Sequence, residues 1–185
     1  MARRPLTGVL LVGGASTRFG SPKALARFAG ETLAERAWRT LGEACDERLA
    51  VGKRGELELP FDVADDGIDL RAPLAGVVAG LREAANDVCV FLPVDAPLVT
   101  PEILRALGAA CREGARPHAS PAPCAIARAA LPKVEARLAG DDLSLAGALR
   151  ALDTAFVDVD EALVADADTP AELRAAARRL VPDAS

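Results

Sequence analysis

Thr7-Gly8-Val9-Leu10-Leu11-Val12-Gly13-Gly14-Ala15-Ser16-Thr17-Arg18-Phe19-Gly20-Ser21-Pro22-Lys23 is the stretch on which the fold of this chain turns. Thr7 to Val12 is a continuous apolar run of strand length. It reads as a continuous apolar strand. The run leads directly into two adjacent glycines. At a strand end, Gly13 and Gly14 let backbone N–H groups come close to a phosphate, because no Cβ stands in the way. Ser16 and Thr17 add hydroxyl donors, and Arg18 and Lys23 bring two cations to the same loop. Arginine grips phosphate oxygens with a planar fork, while lysine supplies a compact point charge. The loop matches neither G-x-G-x-x-G nor G-x-x-x-x-G-K-[ST]. A turn with solvated charges is the alternative reading. Paired glycines and two cations at a strand's carboxyl end favour a site for a nucleoside triphosphate.

Outward from this loop, short apolar runs alternate with amphipathic stretches. That alternation predicts an α/β fold, a three-layer sandwich around a mostly parallel, Rossmann-like central sheet. From Glu31, residues Leu33, Ala34, Ala37, Trp38 and Leu41 share a helix face. Arg48–Val51 reads as a second strand and Phe61–Ala64 as a third. Leu74, Val77, Val78 and Leu81 recur at helical spacing behind Pro73, which suits a first helical turn. Val88–Val94 is a central strand, apolar on both faces apart from Pro93. Thr100-Pro101-Glu102 opens a helix with a hydroxyl cap, a proline and an early acid. Gly114–Pro123, with three prolines, reads as a loop. Cys124–Ala127 reads as a short strand, Ala129–Leu138 and Leu143–Leu152 as helices, and Ala155–Val159 as a strand. Thr169-Pro170-Ala171-Glu172 is a capping box for a last helix through Leu180. No repeat or long linker divides the chain, so residues 1–185 are expected to form one domain.

Composition narrows the function. A net charge of −5 argues against a broad nucleic-acid surface, though not against one local basic pocket. No apolar run approaches the roughly 20 residues of a membrane-spanning helix. The basic start is followed at once by a strand-length segment rather than a signal peptide's core, so the expected location is cytoplasmic. Cys45, Cys89, Cys111 and Cys124 form no CxxC pair, and His118 is the only histidine. Reduced, mostly buried thiols are expected, and neither a zinc site nor a Ser-His-Asp or Cys-His arrangement is visible.

The acids supply the other half of the chemistry. Asp95 follows the buried strand directly in Phe91-Leu92-Pro93-Val94-Asp95-Ala96-Pro97, which puts it at the mouth of an α/β crevice on the same side as the first loop. Magnesium takes one or two carboxylates plus phosphates and water, and Asp95 suits that role. A turn-capping role is its structural alternative. Asp168, between a strand and a helix, is a candidate second carboxylate for the metal. Its alternative is to meet the dipole of the helix that follows. Asp65, Asp66 and Asp69 precede the Pro73 helix, where one carboxylate can accept from a base or ribose.

Together these segments resemble the molybdenum cofactor guanylyltransferases, members of a nucleotidyltransferase superfamily with the nucleotide-diphospho-sugar transferase fold. The resemblance rests on Leu11-Val12-Gly13-Gly14 with Arg18 and Lys23, on Pro73-Leu74-Ala75-Gly76 after Asp69, on Asp95-Ala96-Pro97 and on Asp168-Thr169-Pro170. It implies transfer of GMP from GTP to the phosphate of a molybdopterin, with Mg2+ as cofactor and pyrophosphate as leaving group. It further implies that Leu11, Val12, Gly13 and Gly14 enclose the nucleotide, that Lys23 meets its phosphates, and that Asp69 contacts it. Arg18, Lys23 and Asp95 are the implied catalytic set, with Asp95 and Asp168 on the metal. Proteins that mature molybdoenzymes are the implied partners. Gly20-Ser21-Pro22-Lys23 is one residue shorter than the guanylyl pattern and lacks its Asp, and Ala72 replaces a customary glycine. No Asn follows Val51-Gly52, Asp166 and Asp168 stand where Asn is common, and Arg116–Pro123 is short. The loop and the two acids lean toward cytidylyltransferases of the same cofactor. A sugar-phosphate nucleotidyltransferase and a nucleotide-binding protein without catalysis are the remaining alternatives.

Overall fold

The computed structural model describes residues 3–12, 22–53, 55, 57–67 and 72–180. Its centre is a seven-stranded sheet built from β1 (Leu6–Leu11), β4 (Glu47–Gly52), β5 (Ala64–Asp65), β6 (Val88–Pro93), β7 (Gly114–Pro117), β8 (Cys124–Ala127) and β9 (Thr154–Val157). Two further short strands, β2 (Arg27–Phe28) and β3 (Glu31–Thr32), form a separate hairpin. The helices are α1 (Leu33–Ala44), α2 (Pro73–Glu83), α3 (Pro101–Ala110), α4 (Leu131–Arg137), α5 (Leu145–Arg150) and α6 (Pro170–Arg178).

The strand order is β5-β4-β1-β6-β8-β7-β9. Neighbours are parallel except where β8 runs antiparallel to β6 and β7, so the sheet is mostly parallel as expected. Alternate side chains of the central strands enter opposite cores. Leu6 and Leu10 of β1 and Val88, Val90 and Leu92 of β6 join α1, α3 and Leu173 of α6 on one face. Val9, Leu11, Cys89 and Phe91 meet α2, α4 and α5 on the other. Two apolar faces on both central strands explain why their sequence does not alternate.

Helix starts follow local chemistry. Thr32 caps α1 in a full capping box with Glu35, and Thr169 does the same for α6 with Glu172. Thr100 accepts from the Ile103 N–H at the start of α3. The predicted third strand is displaced, since only Ala64 and Asp65 pair, with Val51 and Gly52 of β4. The segment predicted as a loop over residues 114–123 is corrected in its first half. Gly114–Pro117 is a strand because β8 pairs with it on one side and β9 on the other, burying Ala115. Residues 118–123 connect it to β8.

All four cysteines are free, with Cys89, Cys111 and Cys124 buried and Cys45 partly so. Burial pushes the thiols of Cys45 and Cys89 up to about 12 and that of Cys111 to about 11, so they stay protonated and unreactive at neutral pH. No helix among the described residues is long and apolar enough to cross a membrane.

Candidate active site at the carboxyl edge of the sheet

Because β1, β4 and β6 are parallel and in register, their carboxyl ends share one edge. Leu11 lies opposite Val51 on one side and Pro93 on the other. The ladder continues one step, with Val12 N–H donating to the Val51 carbonyl at 3.0 Å and Val94 N–H to the Leu11 carbonyl at 3.3 Å. Whatever follows these strands therefore emerges at one rim. Leu11 and Val12 sit there, buried. Gly13, Gly14, Arg18 and Asp69 lie outside the described residues.

Lys23 opens a single 3-10 turn, Lys23–Leu25. Ala24 beside it and Phe28 beyond are buried in the core, and Leu33 N–H donates to the Ala26 carbonyl. The backbone under Lys23 is thus anchored. Asp95 stands in a tight turn between buried Val94 and Ala96. Arg36 of α1 holds this turn, its Nε donating to the Pro97 carbonyl at 2.6 Å. Asp168 arrives from the far end of the chain. Val164 and Ala167 are buried, and Ala167 N–H donates to the Asp95 carbonyl at 2.8 Å. Glu172 then accepts from the backbone N–H groups of Asp168 and Thr169, at 2.8 and 2.9 Å.

These three segments bring their charges together. Lys23 Nζ donates to Asp95 Oδ2 at 3.0 Å and to Asp168 Oδ1 at 2.5 Å. The Lys23 side chain is 15% exposed, that of Asp95 25% and that of Asp168 57%, so the group is open on the Asp168 side. Burial disfavours the ammonium, but hydrogen bonds to Asp168 and Asp95 and the charges of both outweigh it and raise the pKa of Lys23. Asp166, two residues before Asp168, keeps an open surface. Crowding by the surrounding protein, reinforced by the charges of Asp95 and Asp168, nevertheless pushes its carboxyl up to about 6, with Lys23 opposing.

Of the residues expected from sequence, the structure therefore joins Lys23, Asp95 and Asp168 and places Leu11 and Val12 at the same edge. Among the described residues, no group of three or more His, Cys, Asp or Glu side chains is placed to hold a metal. A two-carboxylate pair is nevertheless what magnesium uses when phosphates and water complete its shell. The donor set fits that ion, since Asp95 and Asp168 already converge on one positive charge.

A further ion pair near this edge is absent from the sequence reading. Lys53 follows β4 as Asp95 follows β6, and its Nζ donates to Asp66 Oδ1 at 2.6 Å. Both side chains are largely shielded, at 20% and 10% exposure. Asp65 meanwhile accepts from Gly67 N–H at 2.8 Å, closing a turn. Lys53 could have been found by asking which cation leaves the carboxyl end of each strand.

Comparison with known proteins agrees with this architecture. Residues 8–143 match the family described as the MobA-like NTP transferase domain. A probable molybdenum cofactor guanylyltransferase of Deinococcus radiodurans is 40% identical over 111 residues, which are 60% of this chain and 57% of the relative. The chain thus spans little more than half the length of that curated relative. Molybdopterin-guanine dinucleotide biosynthesis protein A from Archaeoglobus fulgidus superposes with a TM-score of 0.79 at 21% identity, covering 94% of this chain and 98% of the other. The 2-C-methyl-D-erythritol 4-phosphate cytidylyltransferase of Thermus thermophilus superposes with a TM-score of 0.72 at 18% identity, covering 93% and 97%. At these identities the superpositions establish the shared fold.

Proposed function

From the premise that this chain belongs to the MobA-like NTP transferase domain family, we propose that it transfers GMP from GTP to the phosphate of molybdopterin. The observation that carries this reading is the convergence of Lys23 with Asp95 and Asp168 at the carboxyl edge of a parallel sheet. Names borne by relatives such as the Deinococcus protein supply the choice of base and acceptor.

The reaction needs no protein nucleophile. An oxygen of the acceptor phosphate forms a bond to the α-phosphorus of GTP. The bond from that phosphorus to the oxygen bridging to the β-phosphate breaks, and pyrophosphate leaves with the electron pair. The protein's task is to align two polyanions and offset their charge. The phosphate loop, with Gly13, Gly14 and Arg18, cradles the triphosphate, and Lys23 offsets charge that grows on the leaving group. Leu11 and Val12 wall the nucleotide, and Asp69 accepts from it. Asp95 and Asp168 would hold magnesium, which when bound supplies a Lewis acid for the phosphate oxygens.

A second reading, CTP in place of GTP, is favoured by Asp166 and Asp168 and by the short Gly20-Ser21-Pro22-Lys23 segment. Calorimetric titration of GTP and CTP with and without magnesium, followed by a pyrophosphate-release assay with molybdopterin, separates the readings. Magnesium-dependent GTP binding well above CTP, with pyrophosphate released only when molybdopterin is added, is the expected result. Preference for CTP moves the assignment to cytidylyl transfer. Binding without release with any acceptor refutes catalysis, and binding of neither nucleotide refutes the loop assignment.

A further inference from the structure

Lys23 is asked to serve two sets of anions with one ammonium. Transfer requires its charge beside the nucleotide's phosphates. In the structure the same nitrogen lies between Asp95 and Asp168, at 3.0 and 2.5 Å. The three charged groups come from positions 72 and 145 residues apart in the chain, so the arrangement is a tertiary device and not a local turn. We infer that Lys23 is an internal counter-cation, competing with the divalent metal for Asp95 and Asp168 and yielding that place only when a nucleotide's phosphates offer its ammonium another partner. This rests on the reading of Asp95 and Asp168 as the metal-holding pair.

The physical case is direct. Two carboxylates converging on one point repel each other unless a cation intervenes. Lys23 supplies that cation from a flexible four-carbon stem. The stem's base is fixed, because Ala24 is buried next to it and the following turn is hydrogen-bonded to Pro22 and Lys23. Its head can therefore move while its backbone stays. Magnesium sheds water reluctantly and must also displace a charge-assisted hydrogen bond at each carboxylate before it can bind. Without a nucleotide, the displaced ammonium gives up its hydrogen bonds to both carboxylates with no phosphate at hand to replace them. With a triphosphate present it moves from one set of anionic oxygens to another, and the penalty falls. Metal and nucleotide are thereby coupled, each raising the affinity for the other by the same factor. Lys23 thus acts as a positioning residue for the metal and keeps the carboxylate pair from taking up a divalent ion ahead of its substrate.

The test uses Mn2+ alone as probe, titrated into the full chain without nucleotide, with free ion followed by electron paramagnetic resonance. Lys23→Gln is expected to bind Mn2+ at least tenfold more tightly than the unaltered chain. Lys23→Met, which keeps the stem's packing, is measured beside it, with thermal melts to confirm that both fold. Adding Asp95→Asn to the Lys23→Gln chain is expected to abolish the gain. Equal Mn2+ affinity in the unaltered chain and in whichever Lys23 variant folds, lost in both on Asp95→Asn, overturns the counter-cation role and leaves the metal pair standing. Tight Mn2+ binding that survives Asp95→Asn overturns the metal pair, and this inference with it.

Discussion

Replacing Gly80 with alanine tests how closely α2 is laid onto the sheet. A Cβ built at Gly80 meets Val9 Cγ1 at 2.8 Å, Phe91 Cε1 at 3.0 Å and Val9 Cγ2 at 3.1 Å. Neither neighbour can move aside easily. Val9 and Phe91 have no exposed surface, they sit on the two paired central strands, and a β-branched valine has little freedom at χ1. Forcing a methyl into such a core costs about 1–3 kcal/mol. Three contacts against stiff strand residues argue for the upper part of that range. Alanine recovers about 1 kcal/mol of helix propensity relative to glycine. The net expectation is a loss of about 1–2 kcal/mol. At roughly 2–4 °C per kcal/mol for a chain of this length, Tm falls by about 2–8 °C. Gly140→Ala is the control, since its Cβ meets only the Arg137 carbonyl oxygen, at 3.5 Å, and a shift within about 0.5 kcal/mol is expected. Urea unfolding of both variants supplies the free energies. A Gly80→Ala chain as stable as the parent, with an unchanged denaturant slope, would refute the close approach of α2 to β1 and β6.

Lys23→Ala should lower the rate of pyrophosphate release by about a hundredfold under saturating GTP and magnesium, the size of effect seen when one transition-state donor is lost; full activity in that variant would remove Lys23 from the chemistry. Thr169→Ala should cost about 1 kcal/mol, because it breaks the capping box that starts α6. Hydrogen exchange should rise at residues 168–178 and stay unchanged in β1, and a uniform rise would contradict the local account. Glu31 accepts from Arg36 and from both Nε and Nη2 of Arg39; the Arg39 hydrogen bond leads in holding its carboxyl below the usual range. A lowered folded pKa adds stability above the unfolded value of roughly 4.3 and loses it as pH falls through the folded value. Glu31→Gln should therefore cost roughly 0.5–1 kcal/mol at neutral pH after allowance for solvent screening, with the gap to the parent closing below pH ~4. A gap independent of pH would show that the pair does not stabilise the hairpin against α1.

The sequence was most legible where local physics and tertiary context agree. Thr7–Val12 and Val88–Val94 are apolar on both faces because both faces are covered, and their length distinguishes them from helices. Thr32, Thr100 and Thr169 announce their helices because a cap needs only neighbours in the chain. Gly114–Pro117 reads as a loop for the opposite reason. A glycine, an arginine and a proline have little strand preference of their own, and β8 and β9 impose the pairing from outside. The two-residue β5 lies later than the apolar run before it suggests, because only the end of β4 defines it. At the site, the carboxyl-end rule put Asp95 beside the loop that leads to Lys23, whereas Asp168 follows no strand end and is carried back to them by the segment after β9. That the lysine would be shared by both acids, and that Lys53 would engage Asp66, depends on distances that no periodicity encodes.

The family match ends at residue 143, whereas Asp168 and the buried Val164 and Ala167 come after it. The closing segment crosses back from β9 at the sheet's far edge and fastens to the Asp95 carbonyl through Ala167 N–H. It behaves as a clasp, with two apolar studs and an acidic tongue that reaches Lys23 from the opposite end of the chain. Grafting residues 158–169 between relatives would transplant one wall of the site as a single cassette.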